Sequence, residues 1–452
     1  MKKVRSRDIK LIRFQYVAPD LKSRAMVTHA DFLGESLEHG IGLAKGAFSL
    51  NAIDLPVSEP DYAAESSEFR IVPDMDTFAE LPYTARSGRF ISELQYSNKR
   101  TAEIDPRVFL KQILRKAERE GYLISSACEA EFYLLQQNEG GEIIPVTGGD
   151  FADYYVESRS YDLMNDYVQE LIQSLSTMGT KVERLKKEYG PSQIELILRY
   201  SDPVKSADDL VTLRDAAKAI AANRRLMATF LAKPFQDGAT NGMHQHISLY
   251  EKRGKRNVFH DARDKKGFGL SETGYHFIGG IMKHIKEMTA LAAPLPNSYK
   301  RLVPSLAWAP STATYGYDNR GVAVRIPSIP KGTSASSSRV EYRVPDPTAN
   351  PYLTLGVAIA AGLEGIKKGT DPGENIVEDP NTLPPAKLRE RGIGYLPRTL
   401  GEAIEEMRKS TFLRKTLGDL LFEVYLKHRE SEWQIYRERV TDWEVKAYVG
   451  AF

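Results

Sequence analysis

The sequence predicts an α+β fold in two domains, and two observations lead to that prediction. Residues 1–104 read as short strands, such as "KLIRFQYV", "RAMVTHADF" and "EFRIVPDM", separated by turn-rich loops. From residue 105 to the C-terminus, helical patterns alternate with short strand patterns. The pattern favours an antiparallel sheet with flanking helices over regular βαβ units. We therefore expect a small N-terminal domain over 1–104 and a larger domain over 105–452.

A helix start marks the boundary between the two domains. Asp105 is suited to the N-cap position and Pro106 to the first helical position. Apolar residues follow at helical spacing until Gly121 ends the pattern. Further helices are expected over 162–178, 205–231, 274–291, 351–368 and most of 399–440. Strands are expected at "SSACEAEFYLL", "SQIELILRY", "MHQHISLY", "VAVRIP" and "SRVEYRV".

The composition excludes several classes of protein. The 452 residues are 42% hydrophobic and 27% charged, which is ordinary for a soluble globular chain of more than one domain. A net charge of +2 lacks the basic excess of a nucleic-acid binder. The single cysteine, Cys128, allows no internal disulfide and fits a reducing compartment. No apolar run approaches the roughly 20 residues of a membrane span, and no signal peptide is evident. We expect a cytoplasmic enzyme.

One strand pattern carries an unusual charged face. In "RVEYRV", side chains alternate between two faces, so Arg339, Glu341 and Arg343 share one of them. A cation–anion–cation row is costly to bury. Taken alone, such a motif reads as a solvated strand face, and a single histidine reads as a hydrogen-bonded structural residue.

Several other segments add charged or imidazole side chains to otherwise apolar patterns. These residues are Glu129, Glu131, Glu188, Glu195, His244, His246, Arg301, Arg320 and Arg325. Together they predict a concave site in which carboxylates balance metal cations and arginines bind phosphates. Carboxylates with one or two imidazoles favour Mg²⁺ or Mn²⁺ over Zn²⁺. Arginines match the geometry of phosphates and carboxylates, and the chain has no Walker A or kinase glycine loop. The combination is typical of metal-assisted phosphoryl transfer.

Four segments identify a family. With "NGMHQH", "NSYKRLVP", "NRGVAVRIP" and "RVEYRVPDPTANPYL", the chain resembles the glutamine synthetase family from about residue 105 to the C-terminus, with a weaker match before that. The resemblance implies an N-terminal β-grasp domain that packs against the catalytic domain of a neighbouring subunit. It also implies a curved antiparallel sheet flanked by helices, and a dodecamer of two hexameric rings.

The resemblance also implies roles for the site residues, with two or three divalent ions in each site. Ligands of one ion would be Glu131, Glu188 and Glu195, and ligands of a second would be Glu129, His244 and Glu341. The nucleotide would meet His246, Arg325 and Arg339. The glutamate carboxylate would meet Arg301 and Arg343, and the transferred phosphoryl group would meet Arg320. The implied reaction activates the γ-carboxylate of L-glutamate with ATP and passes it to an amine.

Two departures from the family pattern concern the acceptor. Ser49 stands where ammonia-using members carry the aspartate of "FDGSS", and the flap "VPSLAWAP" (303–310) lacks the glutamate of "PGYEAP". Trp308 in that flap offers an apolar or cation–π surface suited to an organic amine, or else it packs the flap. Asp54, Glu65 or Glu68 are alternative sources of the missing anion.

A third departure concerns the glutamate site. In "DGATNGMH", Asn241 lies close to the asparagine position of the family, so glutamate remains the expected substrate.

Three functions remain open from the sequence. The first is a γ-glutamyl–amine ligase acting on an alkylamine, an aromatic amine or a polyamine. The second is an ordinary glutamine synthetase that uses ammonia. The third is a non-catalytic structural or regulatory relative, although all six residues matched to metal ligands are present.

Overall fold

The structure is a computed structural model that describes residues 4, 6–57, 67–148, 153–306, 308–330 and 332–452. Over these residues the chain forms one six-stranded sheet, one nine-stranded sheet and helices packed against them. The strands are β1 (Leu11–Val17), β2 (Ser23–His29), β3 (Ile41–Ala44), β4 (Glu68–Pro73), β5 (Ala79–Glu80), β6 (Ser87–Gln95), β7 (Tyr122–Gln137), β8 (Ile143–Pro145), β9 (Val182–Lys187), β10 (Gln193–Leu198), β11 (Met227–Thr229), β12 (Met243–Glu251), β13 (Tyr315–Tyr317), β14 (Val324–Ile326) and β15 (Val340–Tyr342).

Seven of the described helices lie between these strands, and six follow the last strand. They are α1 (Leu33–His39), α2 (Pro106–Arg119), α3 (Ser158–Leu163), α4 (Asn165–Thr177), α5 (Pro203–Asn223), α6 (Glu272–Ala292), α7 (Ser334–Ser337), α8 (Pro351–Lys368), α9 (Pro385–Glu390), α10 (Leu400–Lys409), α11 (Thr411–Leu417), α12 (Asp419–Arg437) and α13 (Asp442–Tyr448). Among the described helices, none is long and apolar enough to cross a membrane.

The N-terminal sheet has the order β2-β1-β6-β4-β3, with β5 added to β6. Strands β1 and β6 run parallel, and the other pairs are antiparallel. Every second residue of β1 points into a separate core, where Phe14 meets Phe90 and Phe48 meets Phe69. Val424 of α12 joins this core, so the C-terminal helices hold the sheet in place.

Helix α2 begins where the sequence predicts. The Asp105 carboxylate accepts hydrogen bonds from the backbone N–H groups of Arg107 (2.7 Å) and Val108 (3.2 Å), as an N-cap does. It also accepts from the N–H of Leu94 at the end of β6 (2.7 Å). Burial raises the pKa of Asp105 to about 7. One buried carboxylate thus joins the N-terminal sheet to the first helix after it.

The second sheet carries the charged strand face. Its order is β13-β14-β15-β12-β7-β10-β9, with β8 and β11 paired to β7. All pairs are antiparallel except β13 and β14, so the predicted antiparallel sheet is correct apart from one edge. Helices α6 and α8 pack so closely that a Cβ on Gly280 would lie 2.0 Å from the Ala361 carbonyl oxygen. Glycine is therefore required at that crossing.

The structure corrects three predicted helices and adds strands that the sequence did not predict. Helix α5 ends at Asn223, well before 231, because Arg225 adopts a left-handed conformation (φ 59°) and β11 follows. The segment 399–440 is three helices, since Ser410 caps α11 through the N–H of Leu413 and Gly418 has φ 80°. The helix predicted over 162–178 is divided at Met164. The strands without a predicted counterpart are β3, β5, β6, β8, β9, β11 and β13.

Candidate active site

Strand register brings the charged residues onto one face of the second sheet. Directly opposed residues of paired strands point to the same side. The opposed pairs that matter here are Glu131–Glu195, Glu129–His244, His246–Glu341 and Arg325–Glu341. They span five neighbouring strands, from β10 to β14. The charged row of "RVEYRV" is therefore one part of a larger polar surface.

One group of ligand atoms centres on Glu129. Its carboxylate lies 3.5 Å from His244 Nδ1 and 3.0 Å from His246 Nε2. His244 Nδ1 is also 3.7 Å from a carboxylate oxygen of Glu341. Ligand atoms within 4.8 Å of one another form two overlapping sets, Glu129–His246–Glu341 and Glu129–His244–Glu195. The three residues matched to the second metal ion therefore lie close together, with His246 and Glu195 beside them.

A second group consists of the half-buried Glu131 and the buried Glu188 and Glu195, whose ligand atoms also lie within 4.8 Å of one another. The Lys186 ammonium lies between two of them, in an ion pair with Glu188 and 3.3 Å from Glu195. Lys186 stands opposite Glu195 across the β9–β10 ladder. The sequence analysis did not single out this lysine.

The electrostatics of the two groups differ. Burial and the nearby Glu188 raise the pKa of Glu131 to about 7, and burial and Glu131 raise the pKa of Glu195 to about 9. Burial opposes ionisation of Glu341 too, but Arg343 and the two histidines hold its pKa far below the usual range. Burial and Arg343 lower the pKa of His244 to about 4, so this imidazole is neutral at pH 7.

These residues fit divalent cations. The three crowded carboxylates share the ammonium of Lys186, and a bound cation would balance the remaining negative charge. Oxygen donors with one neutral imidazole suit Mg²⁺ or Mn²⁺. Glu131, Glu188 and Glu195 could hold one ion, and Glu129, His244 and Glu341 a second.

Buried arginines flank the carboxylates. Arg325 and Arg343 both donate to Glu341, the former from Nη1 at 2.7 Å. Arg325 also donates to Asp318 at 2.6 Å. Arg339 Nε donates to His246 Nδ1 at 3.3 Å. The row of arginines therefore lies on the same surface as the candidate metal ligands.

Arg301 is buried beside Glu131. It donates to the carbonyl oxygens of Val344 (2.8 Å) and Arg343 (3.0 Å). A Cβ on Gly242 would lie 2.9 Å from both Arg301 Nη2 and His244 Nε2. Gly242 therefore leaves room for both side chains, which gives the glycine of "NGMHQH" a physical role.

Three predicted site residues, Arg320, Asn241 and Ser49, have surroundings that differ from those of the residues on the charged sheet face. The Arg320 side chain is exposed, and its carbonyl oxygen accepts from Arg343 Nε at 3.2 Å. Asn241 is buried, with its amide bonded to Gln193 (2.9 Å) and the Leu231 carbonyl (2.8 Å), so it braces the loop before β12. Ser49 donates to the Gly46 carbonyl (2.8 Å), on the side of the N-terminal sheet that contacts α12.

Trp308 lies among aromatic side chains at the flap. Its indole contacts Tyr155 and Tyr189 edge-on, and its carbonyl oxygen accepts from Arg343 Nη2 at 3.2 Å. Ala307, the neighbouring flap residue, lies outside the described residues. The lysine pair before Glu188 in "KKEYGP" and the tyrosine after it are the sequence signals that point to Lys186 and Tyr189.

Comparison with known proteins places these features in a family. A family profile described as glutamine synthetase, catalytic domain, matches residues 103–448. The glutamine synthetase of Pyrococcus furiosus is 35% identical over 455 aligned residues, covering 97% of this chain and 96% of the relative. That of Thermotoga maritima is 33% identical over 451 residues, covering 99% and 98%.

Solved structures give the same result for the fold. A GmaS/ADP complex superimposes with a TM-score of 0.87 at 26% identity, covering 100% of this chain and 99% of that one. Apo GmaS superimposes with a TM-score of 0.85 at 27% identity, covering 99% and 98%. The chain belongs to the glutamine synthetase family, has its α+β fold, and is an ATP-dependent ligase that forms carbon–nitrogen bonds.

Proposed function

We propose that this enzyme joins the γ-carboxylate of L-glutamate to an organic amine through a γ-glutamyl phosphate. The observation that carries the proposal is the single polar sheet face, on which two groups of buried and half-buried metal-ligand residues lie beside a row of arginines. Because charge spreads over the transferred phosphoryl group, positioned cations are what this reaction needs.

Each side chain has a role in the proposed reaction. Arg301 and Arg343 bind the substrate glutamate, and Arg320 contacts the transferred phosphoryl group from the rim. His246, Arg325 and Arg339 bind the nucleotide. Glu131, Glu188 and Glu195 hold one divalent ion, and Glu129, His244 and Glu341 hold the second. When bound, the ions neutralise the phosphate charge and orient the phosphates.

An organic acceptor is supported by a flap without an acidic residue and by the pairing of the alternative anions that the structure describes. The flap sequence 303–310 contains no acidic residue. Asp54, one alternative source, is already paired with Lys22 (2.7 Å) and Arg24 (2.6 Å), and its pKa is lowered to about 2 by these contacts. Glu68 lies 3.8 Å from Arg70, and Glu65 lies outside the described residues. The similarity to GmaS, a γ-glutamylmethylamide synthetase, adds support.

The second candidate is an ordinary glutamine synthetase that uses ammonia. It is favoured by the names of the relatives that are 33–35% identical to this chain. Both candidates share the metal, phosphate and glutamate residues and differ only in the acceptor. The third function, a non-catalytic relative, is disfavoured because the groups of ligand atoms are intact.

The organisation of the protein is part of the proposal. Residues 1–104 would form the N-terminal domain and 105–452 the catalytic domain, working in the cytoplasm as a dodecamer of two hexameric rings. Ser49 would then face the site of a neighbouring subunit, which is consistent with its distance in the fold from the strand-face residues of its own chain.

An isotope experiment tests the proposed chemistry. The enzyme is incubated with ATP, Mg²⁺, an amine and L-glutamate labelled with ¹⁸O in the γ-carboxylate. Transfer of one ¹⁸O to the released phosphate, together with a γ-glutamylamide detected by mass spectrometry, is the expected result. Phosphate without ¹⁸O would contradict a γ-glutamyl phosphate.

A further inference from the structure

We propose that Tyr155, Tyr189 and Trp308, here called the aromatic cluster, bind the hydrocarbon part of the acceptor, and that this acceptor is a primary monoamine with a small hydrocarbon substituent. The inference rests on the proposed function, because it names the surface and the substrate class for the amine of that reaction. Its evidence is the geometry of the three rings and of the charges around them.

The three rings form one continuous wall. Tyr155 and Tyr189 stack with centroids 4.3 Å apart and an interplanar angle of 14°. Trp308 meets both edge-on, 5.3 Å from Tyr189 and 6.1 Å from Tyr155. Trp308 is 44% exposed and Tyr189 is 53% exposed. The rings therefore leave aromatic surface that a ligand can contact.

Both sides of the aromatic cluster are attached to the candidate active site. Tyr189 directly follows Glu188, and the buried Lys187 fixes their turn by donating to the carbonyl oxygens of Glu188 (2.6 Å) and Gly190 (2.8 Å). On the other side, Arg343 donates to the Trp308 carbonyl. A ligand on these rings would therefore lie beside the carboxylate and arginine groups.

The backbone of Trp308 is held in an uncommon conformation. Its φ of 64° lies in the left-handed region, which bulky residues rarely occupy. The hydrogen bond from Arg343 opposes relaxation of this peptide. This backbone conformation is energetically unfavourable for a bulky residue, and the ring is directed at two tyrosines. Both facts indicate that Trp308 occupies a functional position.

A lysine ammonium of the protein itself lies against the aromatic cluster. The Lys186 ammonium lies 5.1 Å from the centroid of the Tyr155 ring, within cation–π range. The same ammonium pairs with Glu188 and Glu195. The cation position beside Tyr155 is therefore already occupied, and a second ammonium at the far end of a diamine would meet Lys186. An uncharged hydrocarbon group would meet no such repulsion, so the surface favours a monoamine.

Acceptor competition tests the inference. In wild-type enzyme, kcat/KM is measured for isopropylamine, putrescine and ammonium. The selectivity is kcat/KM for isopropylamine divided by kcat/KM for ammonium. Trp308→Ala and Tyr189→Ala should each lower this selectivity by about tenfold, which is in the upper range for the loss of one cation–π or apolar contact. Tyr189→Phe keeps the ring and should keep the ratio within about twofold. Tyr154→Ala, at a 68% exposed neighbour, is the matched control.

A binding measurement gives a second readout that does not depend on turnover. Trp308 is one of three tryptophans, so titration with isopropylamine should change the intrinsic fluorescence, and Trp308→Phe should remove that change. Thermal melting of each variant checks that it is folded.

The outcomes separate the two proposals. Preference of the wild type for ammonium would overturn the proposed acceptor and this inference with it. Preference for isopropylamine with unchanged ratios in both alanine variants would overturn the aromatic cluster alone. Putrescine outperforming isopropylamine would overturn the monoamine assignment.

Discussion

Glu341 is the residue whose removal tests the electrostatic account of the site most severely. Its carboxylate is fully buried and accepts from Arg325 and Arg343, with His244 3.7 Å away. Glu341→Gln keeps the shape and removes the negative charge, which leaves the buried guanidinium of Arg343 without a carboxylate partner and Arg325 with Asp318 alone. Breaking a buried ion pair in this way costs about 3–5 kcal/mol.

The expected shift in melting temperature follows from chain length. At about 2.1 cal/mol/K per residue, a chain of 452 residues has an unfolding entropy of roughly 0.95 kcal/mol/K. A loss of about 3–5 kcal/mol therefore lowers the melting temperature by about 3–5 °C. Phosphate release should fall by at least about 100-fold, because changing even the partners of metal ligands costs 10–100-fold.

The assay compares wild type, Glu341→Gln and Glu405→Gln. Glu405 pairs with Arg408 on the exposed surface, so its substitution should change the melting temperature by no more than about 1 °C. Melting is followed without metal, and phosphate release with ATP, Mg²⁺, L-glutamate and isopropylamine. Glu341→Gln with activity within a few-fold of wild type and an unchanged melting temperature would refute the reasoning.

Three further predictions concern other parts of the molecule. Burial lowers the pKa of His428 to about 3 in the folded state, whereas an unfolded histidine has a pKa of about 6.5. Below about pH 6.5 the unfolded state therefore binds a proton that the folded state does not, and the free energy of unfolding decreases. Wild type should therefore lose about 2 kcal/mol more stability than His428→Gln between pH 6.5 and 5, measured by denaturation. Gly242→Ala would press on Arg301 and His244, and should destabilise by about 1–3 kcal/mol and weaken Mn²⁺ binding in calorimetry. Lys186→Met should lower the melting temperature without metal, and added Mn²⁺ should recover part of that loss. If the melting temperature of this variant is the same with and without Mn²⁺, the prediction is wrong.

The parts of the site that the sequence predicts depend on local geometry. Alternation along one strand is enough to put Arg339, Glu341 and Arg343 on one face. Capping chemistry is equally local, which is why the start of α2 at Asp105 could be predicted.

The parts that could not be predicted depend on contacts between distant segments. Lys186 reaches Glu195 because of the register between β9 and β10, which no single segment specifies. Tyr155 and Tyr189 stack across 34 positions of sequence, and their contact depends on the turn that Lys187 fixes. The hydrogen bond from Gln193 to the Asn241 amide oxygen likewise joins β10 to the loop before β12, and the place of Asn241 near the substrate stays a prediction.

The helix ends missed by the sequence have a local cause that periodicity does not detect. Helical spacing continues through 224–231, yet the left-handed backbone at Arg225 ends α5 and allows β11 to pair with β7. In 399–440 the breaks lie at Ser410 and Gly418, both ordinary helix-ending residues within an amphipathic pattern.

The identity of the acceptor is the central claim, and one competition experiment tests it most directly. Purified enzyme receives ATP, Mg²⁺ and L-glutamate with equal concentrations of isopropylamine and ammonium, and both products are quantified by mass spectrometry at low conversion. We expect at least about tenfold more γ-glutamylisopropylamide than glutamine, corresponding to about 1.4 kcal/mol of transition-state preference. Glutamine as the main product would contradict it and would make the protein an ordinary glutamine synthetase.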